Sequence, residues 1–147
     1  MVGNIVVGGT GKTPLVIWLT KLLEKNGYKP GIVSRGYGGS STKPIIINDE
    51  TSVSVSGDEP LIIHRNTLRP VCISTNRIAA VKKLIADTDT DIVISDDGLQ
   101  HYKMDRDIEI VVFDGNRGIG NGLYLPAGPF RESLKRTDEA DFIVSSS

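Results

Sequence analysis

An α/β fold with a doubly wound, mostly parallel sheet and helices on both faces is predicted by three features of the sequence. Short apolar runs rich in β-branched residues recur at 4–7, 31–34, 70–74, 91–97, 107–114 and 140–144. Stretches with the apolar period of a helix separate several of them. Glycine, 16 of 147 residues against a typical ~7 %, clusters at 8–11, 36–39 and 115–128, where strands would give way to loops.

The first run leads into Gly8-Gly9-Thr10-Gly11-Lys12-Thr13-Pro14, the core of a phosphate-binding loop. Glycines let backbone N–H groups turn inward on a phosphate, Lys12 can reach the β- and γ-phosphates as an exposed loop lysine, and the Thr13 hydroxyl can hold Mg²⁺. The pattern G-x-x-x-x-G-K-[ST] lacks its first glycine, since Val6 stands there. Pro14 suits a first helical turn. Leu15, Trp18, Leu19, Leu22 and Leu23 then form the stripe expected to pack on a sheet, and Asn26-Gly27 marks the stop. That helix would point its free N–H groups and positive dipole end at a bound anion.

The second strand, 31–34, opens into Arg35-Gly36-Tyr37-Gly38-Gly39. Ligands of open α/β sheets bind outside the strands' C-terminal ends, so this loop is either a substrate-side element or a turn with a partly buried tyrosine. Residues 44–47 and 51–55 flank Asn48-Asp49-Glu50 and read as a small β-hairpin insertion covering the site. In Gly57-Asp58-Glu59-Pro60 a helix starts, with Asp58 or a neighbour as N-cap and His64 on its exposed side. A helix over 76–87 should turn Ile78, Val81, Leu84 and Ile85 inward. The run 91–97 delivers Asp96 and Asp97 at its end, like a Walker B strand. Adjacent carboxylates need a cation or solvent to offset their repulsion, which Mg²⁺ would supply. Gly98-Leu99-Gln100-His101, the strand 107–114, a glycine-rich loop and a short helix led by 125–132 complete the pattern.

A net charge of −1 leaves no basic stripe for nucleic acid. The single cysteine, Cys72, lies in an apolar run and is expected as a buried, unreactive thiol in a reducing compartment. The longest apolar runs are about five residues, against the ~18 that suggest a membrane helix.

Read together, the motifs Val2-Gly3-Asn4, Gly8 to Pro14, Ser34-Arg35-Gly36-Tyr37-Gly38, Gly57-Asp58-Glu59-Pro60 and Asp96-Asp97-Gly98-Leu99-Gln100-His101 resemble those of the tetraacyldisaccharide 4'-kinases, the lipid A 4'-kinases of Gram-negative bacteria. Asp114-Gly115, Gly118 to Asn121, Leu125-Pro126-Ala127-Gly128-Pro129 and Arg131-Glu132 extend the resemblance over nearly the whole chain. Val6 in place of a glycine also matches this family's loop.

The resemblance implies a P-loop NTPase-like core that transfers the γ-phosphate of ATP to the 4'-hydroxyl of a tetraacylated disaccharide 1-phosphate. The work would be peripheral, at the cytoplasmic face of the inner membrane. It implies Gly8, Gly9, Thr10, Gly11, Lys12 and Thr13 for the nucleotide, and Thr13, Asp96, Asp97 and Glu59 for Mg²⁺. Asp58 is implied as the base, with Arg35, Tyr37, His101, Arg131 and Glu132 lining the site. The family's N-terminal membrane-associated segment and second lobe find no counterpart in 1–147, which is therefore expected to be a core fragment.

Two other classes fit part of the pattern. Partitioning-type ATPases, which switch partners, share the Gly-Gly-x-Gly-Lys-Thr loop but carry a lysine just before the glycines, where Val7 stands here. A catalytically silent nucleotide-binding module fits the same loop.

Overall fold

The computed structural model describes residues 1–5, 11–36, 42–100, 103–115, 121 and 123–146. In chain order its elements are β1 (Val2–Gly3), α1 (Lys12–Lys25), β2 (Pro30–Ser34), β3 (Ile45–Ile46), α2 (Val53–Ser56), α3 (Asp58–Thr67), β4 (Val71–Ile73), α4 (Arg77–Asp87), β5 (Ile92–Ser95), β6 (Ile110–Asp114), a 3-10 helix (Leu134–Glu139) and β7 (Phe142–Ser146). The chain divides into two compact units, one of 1–12 with 97–147 and one of 13–96. Among the described residues the strand pairs are parallel except β3 with β4, as expected where helices connect successive strands. Among the described residues no helix is long and apolar enough to cross a membrane.

In the first unit the strands lie in the order β1-β6-β7. Ile5, Leu99, Val111 and Phe130 form the core, with Phe113 and Ala140 against it. Gly3 is required by packing, because a Cβ there would lie 2.6 Å from Leu99 Cγ. Of the strand expected over 4–7, Val6 and Val7 lie outside the described residues, and β1 is Val2–Gly3. The next two carbonyls leave the ladder, Asn4 O accepting from Gln100 Nε2 at 3.2 Å and Ile5 O from Arg131 N at 2.7 Å. The short helix expected after 125–132 is the 3-10 helix, capped by Ser133 Oγ.

In the second unit the order is β3-β4-β2-β5. Val33, Cys72, Ala80 and Leu84 form its core, with Ile46, Val81 and Val93 packed alongside. Burial raises the Cys72 thiol to about 11, so it stays protonated at neutral pH, as the apolar run predicts.

Four local features differ from those the sequence predicts. The hairpin of 44–47 with 51–55 does not form: β3 pairs with β4, and Val53–Ser56 is helical. Asn48 and Thr51 close a side-chain-bonded turn, with Glu50 N donating to Asn48 Oδ1 at 3.0 Å and Asn48 N to Thr51 Oγ1 at 2.9 Å. Such local bonds replace a ladder, and Val53 and Val55 remain exposed.

The buried face of α1 carries Val16 and Thr20, while Trp18 and Leu22 of the expected stripe are exposed. Thr20 can sit inside because its hydroxyl donates to Val16 O at 2.7 Å. In α4 the inner positions are Arg77, Ala80 and Leu84, and Ile78 and Ile85 face outward. Arg77 takes an inner place because it clasps buried carbonyls, donating to Asp96 O at 2.9 Å.

His64 is mostly covered rather than exposed. Leu68 turns back in the left-handed region at φ 55°, and His64 Nδ1 comes within 3.1 Å of Arg69 O.

Candidate functional site

Within the first unit, four polar side chains, those of Asn4, Lys12, Asp97 and Arg131, converge. Lys12 is the first residue of α1, directly after Gly11, whose φ of 72° suits glycine. Its ammonium donates to Asp97 Oδ1 at 2.6 Å and to Asn4 Oδ1 at 3.2 Å, and its side chain is 13 % exposed. It is thus a held, largely covered cation rather than an exposed loop lysine. Arg131 Nη1 reaches the same Asp97 Oδ1 at 3.4 Å.

The segment that carries Asp97 is fixed at several points. Gly98 N donates to Val2 O at 3.1 Å, Leu99 fills the core and Gln100 Nε2 donates to Asn4 O. Asp97 itself has φ 52°, a left-handed conformation that aspartate tolerates better than most residues. Arg131 is set by its own backbone N–H on Ile5 O at 2.7 Å. One carboxylate therefore receives two cations, Lys12 at the start of α1 and Arg131. Such an arrangement suits an anion with several oxygens.

In the second unit Asp96 is 2 % exposed. Its backbone N–H donates to Val33 O at 2.9 Å, its carbonyl accepts from Arg77, and Ser34 Oγ lies 3.5 Å from its Oδ2. Thr13, the chain neighbour of Lys12, is half-buried.

Asp58 and Glu59 occupy the first turn of α3 and are exposed. The N-cap is Gly57, without a side-chain capping bond, so Asp58 is not the cap. No hydrogen bond or ion pair among the described residues holds its carboxylate. Arg35 is exposed just after β2.

Gly8, Gly9, Thr10, Tyr37 and His101 lie outside the described residues. Among the described residues no three His, Cys, Asp or Glu side chains gather as a metal-holding group. Sequence reading passed over Asn4 and Arg77 as participants. Asn4 stands inside a quoted motif, but nothing in a sequence says that its amide oxygen faces Lys12. A buried arginine carries no periodic signal, because charged residues read as surface.

Comparison with known proteins adds an independent finding. The family model described as LpxK, tetraacyldisaccharide-1-P 4'-kinase, matches residues 1–147. The chain is 51 % identical over 147 residues to the tetraacyldisaccharide 4'-kinase of Vibrio parahaemolyticus, covering 99 % of this chain and 44 % of that protein. It is 54 % identical over 147 residues to that of Ruthia magnifica, covering 99 % and 47 %. The crystal structure of LpxK from Aquifex aeolicus in complex with ATP superposes with a TM-score of 0.87 at 33 % identity, over 99 % of this chain and 46 % of that one. The chain thus spans about half the length of the relatives it matches. On the match over its whole length, this chain belongs to the tetraacyldisaccharide 4'-kinase (LpxK) family.

Proposed function

We propose that residues 1–147 are the nucleotide-binding kinase core of a protein that transfers the γ-phosphate of ATP to the 4'-hydroxyl of a tetraacyldisaccharide 1-phosphate in lipid A biosynthesis. The observation that carries this reading is Lys12 at the start of α1, held against Asp97 beside Arg131. The ATP bound by the Aquifex aeolicus relative supports the same nucleotide here. The lipid acceptor follows the name of the relatives, and the protein would meet it peripherally at the cytoplasmic face of the inner membrane.

Phosphoryl transfer asks for positioning and charge neutralisation more than covalent work. Lys12 and the loop Gly8 to Thr13 would hold the β- and γ-phosphates, with Arg131 as a second cation. Arg35, Tyr37 and His101 would line the site, as the resemblance implies.

Mg²⁺ is the metal that the resemblance implies, and Asp97 keeps a second carboxylate oxygen besides the one that receives Lys12 and Arg131. Thr13, Asp96 and Asp97 offer the hard oxygens that this ion prefers alongside phosphates. Glu59 is a further oxygen donor carried by the resemblance. When bound, Mg²⁺ supplies charge neutralisation of the phosphate oxygens. Asp58 is proposed to accept the proton of the acceptor hydroxyl, a role open to a carboxylate with no structural bond to break.

The test uses the complete protein with labelled ATP and the tetraacyldisaccharide 1-phosphate. Wild type is expected to move label into the lipid, and Asp58→Asn to keep its melting temperature and ATP affinity while transfer drops by ~10²-fold or more. Absence of label in the lipid with wild type would overturn the kinase reading. Near-normal transfer by Asp58→Asn would place the base elsewhere.

A further inference from the structure

Arg136 lies outside every motif above, yet among the described residues of the first unit it is the centre of a charge network. Its guanidinium is 14 % exposed and meets three carboxylates: Glu109 at 2.5 Å, Glu139 at 3.0 Å and Glu132 at 3.8 Å. Glu109 is 7 % exposed, takes a second ion pair from Arg106, and sits directly before β6. Its backbone N–H donates to Asp141 Oδ2 at 2.7 Å, and its carbonyl accepts from Asp141 N and Phe142 N at 3.1 Å. Glu109 is thus anchored to the β6 and β7 end of the sheet, and Arg136 extends that anchor to Glu132.

The position of Glu132 gives the network its consequence. Its chain neighbour Arg131 sends its guanidinium to Asp97 Oδ1, while Glu132 turns to Arg136. The segment is pinned from one side by Arg131 N on Ile5 O and by Phe130 in the core. On the other side Glu132 Oε2 faces Arg136 Nε as an ion pair at 3.8 Å, longer than a hydrogen bond, with both atoms buried. The hydrogen bonds of the guanidinium to Glu109 and Glu139 fix its direction as well as its distance, which a lysine ammonium cannot do, and so fix the cation that Glu132 faces.

We propose that Arg136 is a positioning residue of the phosphate site: by tying Glu132 to Glu109 it holds the 130–132 turn so that the Arg131 guanidinium stays beside Asp97 and Lys12. This rests on the nucleotide reading of that site and adds a residue that touches neither phosphate nor metal.

A double-mutant cycle tests it, with metal-free ATP affinity as the readout and thermal melting to confirm that each variant is folded. Arg131→Ala and Arg136→Gln are each expected to weaken ATP binding by about tenfold, the worth of one charge-assisted hydrogen bond. The double variant should be no weaker than Arg131→Ala alone within about threefold, because Arg136 acts only through Arg131. Should Arg136→Gln not fold, Arg136→Lys keeps the charge, loses the fork and enters the same cycle. Losses that multiply to about a hundredfold, or an Arg136 variant with wild-type ATP affinity, would overturn the proposal and leave the nucleotide site intact. Failure of wild type itself to bind ATP would overturn the functional reading and this inference with it.

Discussion

Glu109 shows how a single side chain can tie stability to pH. Burial alone would raise its carboxyl, but hydrogen bonds from Arg136 and Arg106 outweigh that and hold it below the usual glutamate value of 4.5. A lowered folded-state value means that the unfolded chain binds the proton first as pH falls. The stabilisation is therefore fully present above about 4.5 and is lost as pH drops through the lowered folded value. Wild type should accordingly be more stable than Glu109→Gln at neutral pH, by an advantage that shrinks as acid unfolding is followed below that point. A difference in unfolding free energy that stays constant down to pH ~3 would show that the network does not favour the charged form. Sequence reading could not reach this residue. The strand 107–114 presents Glu109 as one polar position among apolar ones, and its arginine partners lie 3 and 27 residues away. Lys12, Asp97 and Arg131 were named from motifs, but their meeting on one oxygen was not legible, since Lys12 and Asp97 are 85 residues apart.

At the scale of elements, types were easier to read than faces. The strands β2, β4, β5 and β6 and the helices α1, α3 and α4 lie where apolar period and turn residues put them. The inward faces of α1 and α4 were misread for one physical reason. Thr20 and Arg77 can be buried when their polar atoms find backbone carbonyls, so a polar residue can displace an apolar one from the inner stripe. The hairpin failed similarly, because side-chain bonds in the turn 48–51 outcompeted a second strand.

The Asp-Asp-Gly-Leu-Gln segment is also positioned by an element-level fit, Leu99 lying against Gly3 of β1. A methyl at position 3 would stand 2.6 Å from Leu99 Cγ and 3.2 Å from its Cβ, atoms that cannot swing away as a chain end can. Gly3→Ala is expected to destabilise the fold by about 1–3 kcal/mol in a denaturant titration. It should also weaken nucleotide binding, since Asp97 would shift with Leu99. Unchanged stability would show that the β1 and Leu99 contact is loose.

For the whole molecule, the fold class was legible in the alternation of strand runs with helical periods, and the family in several separated motifs, each weak alone, that share one chain. The structural match and the family match over 1–147 bear these out. The division into two compact units was not legible, since periodicity reports local burial and not which strands share a ladder. The account's central claim is that the Lys12 ammonium marks the seat of the nucleotide phosphates. Titration of ATP into wild type and Lys12→Met, with melting curves to confirm equal folding, tests it most directly. The account predicts saturable binding by wild type and a loss of about tenfold or more in Lys12→Met, while equal ATP affinity in the two proteins would contradict it.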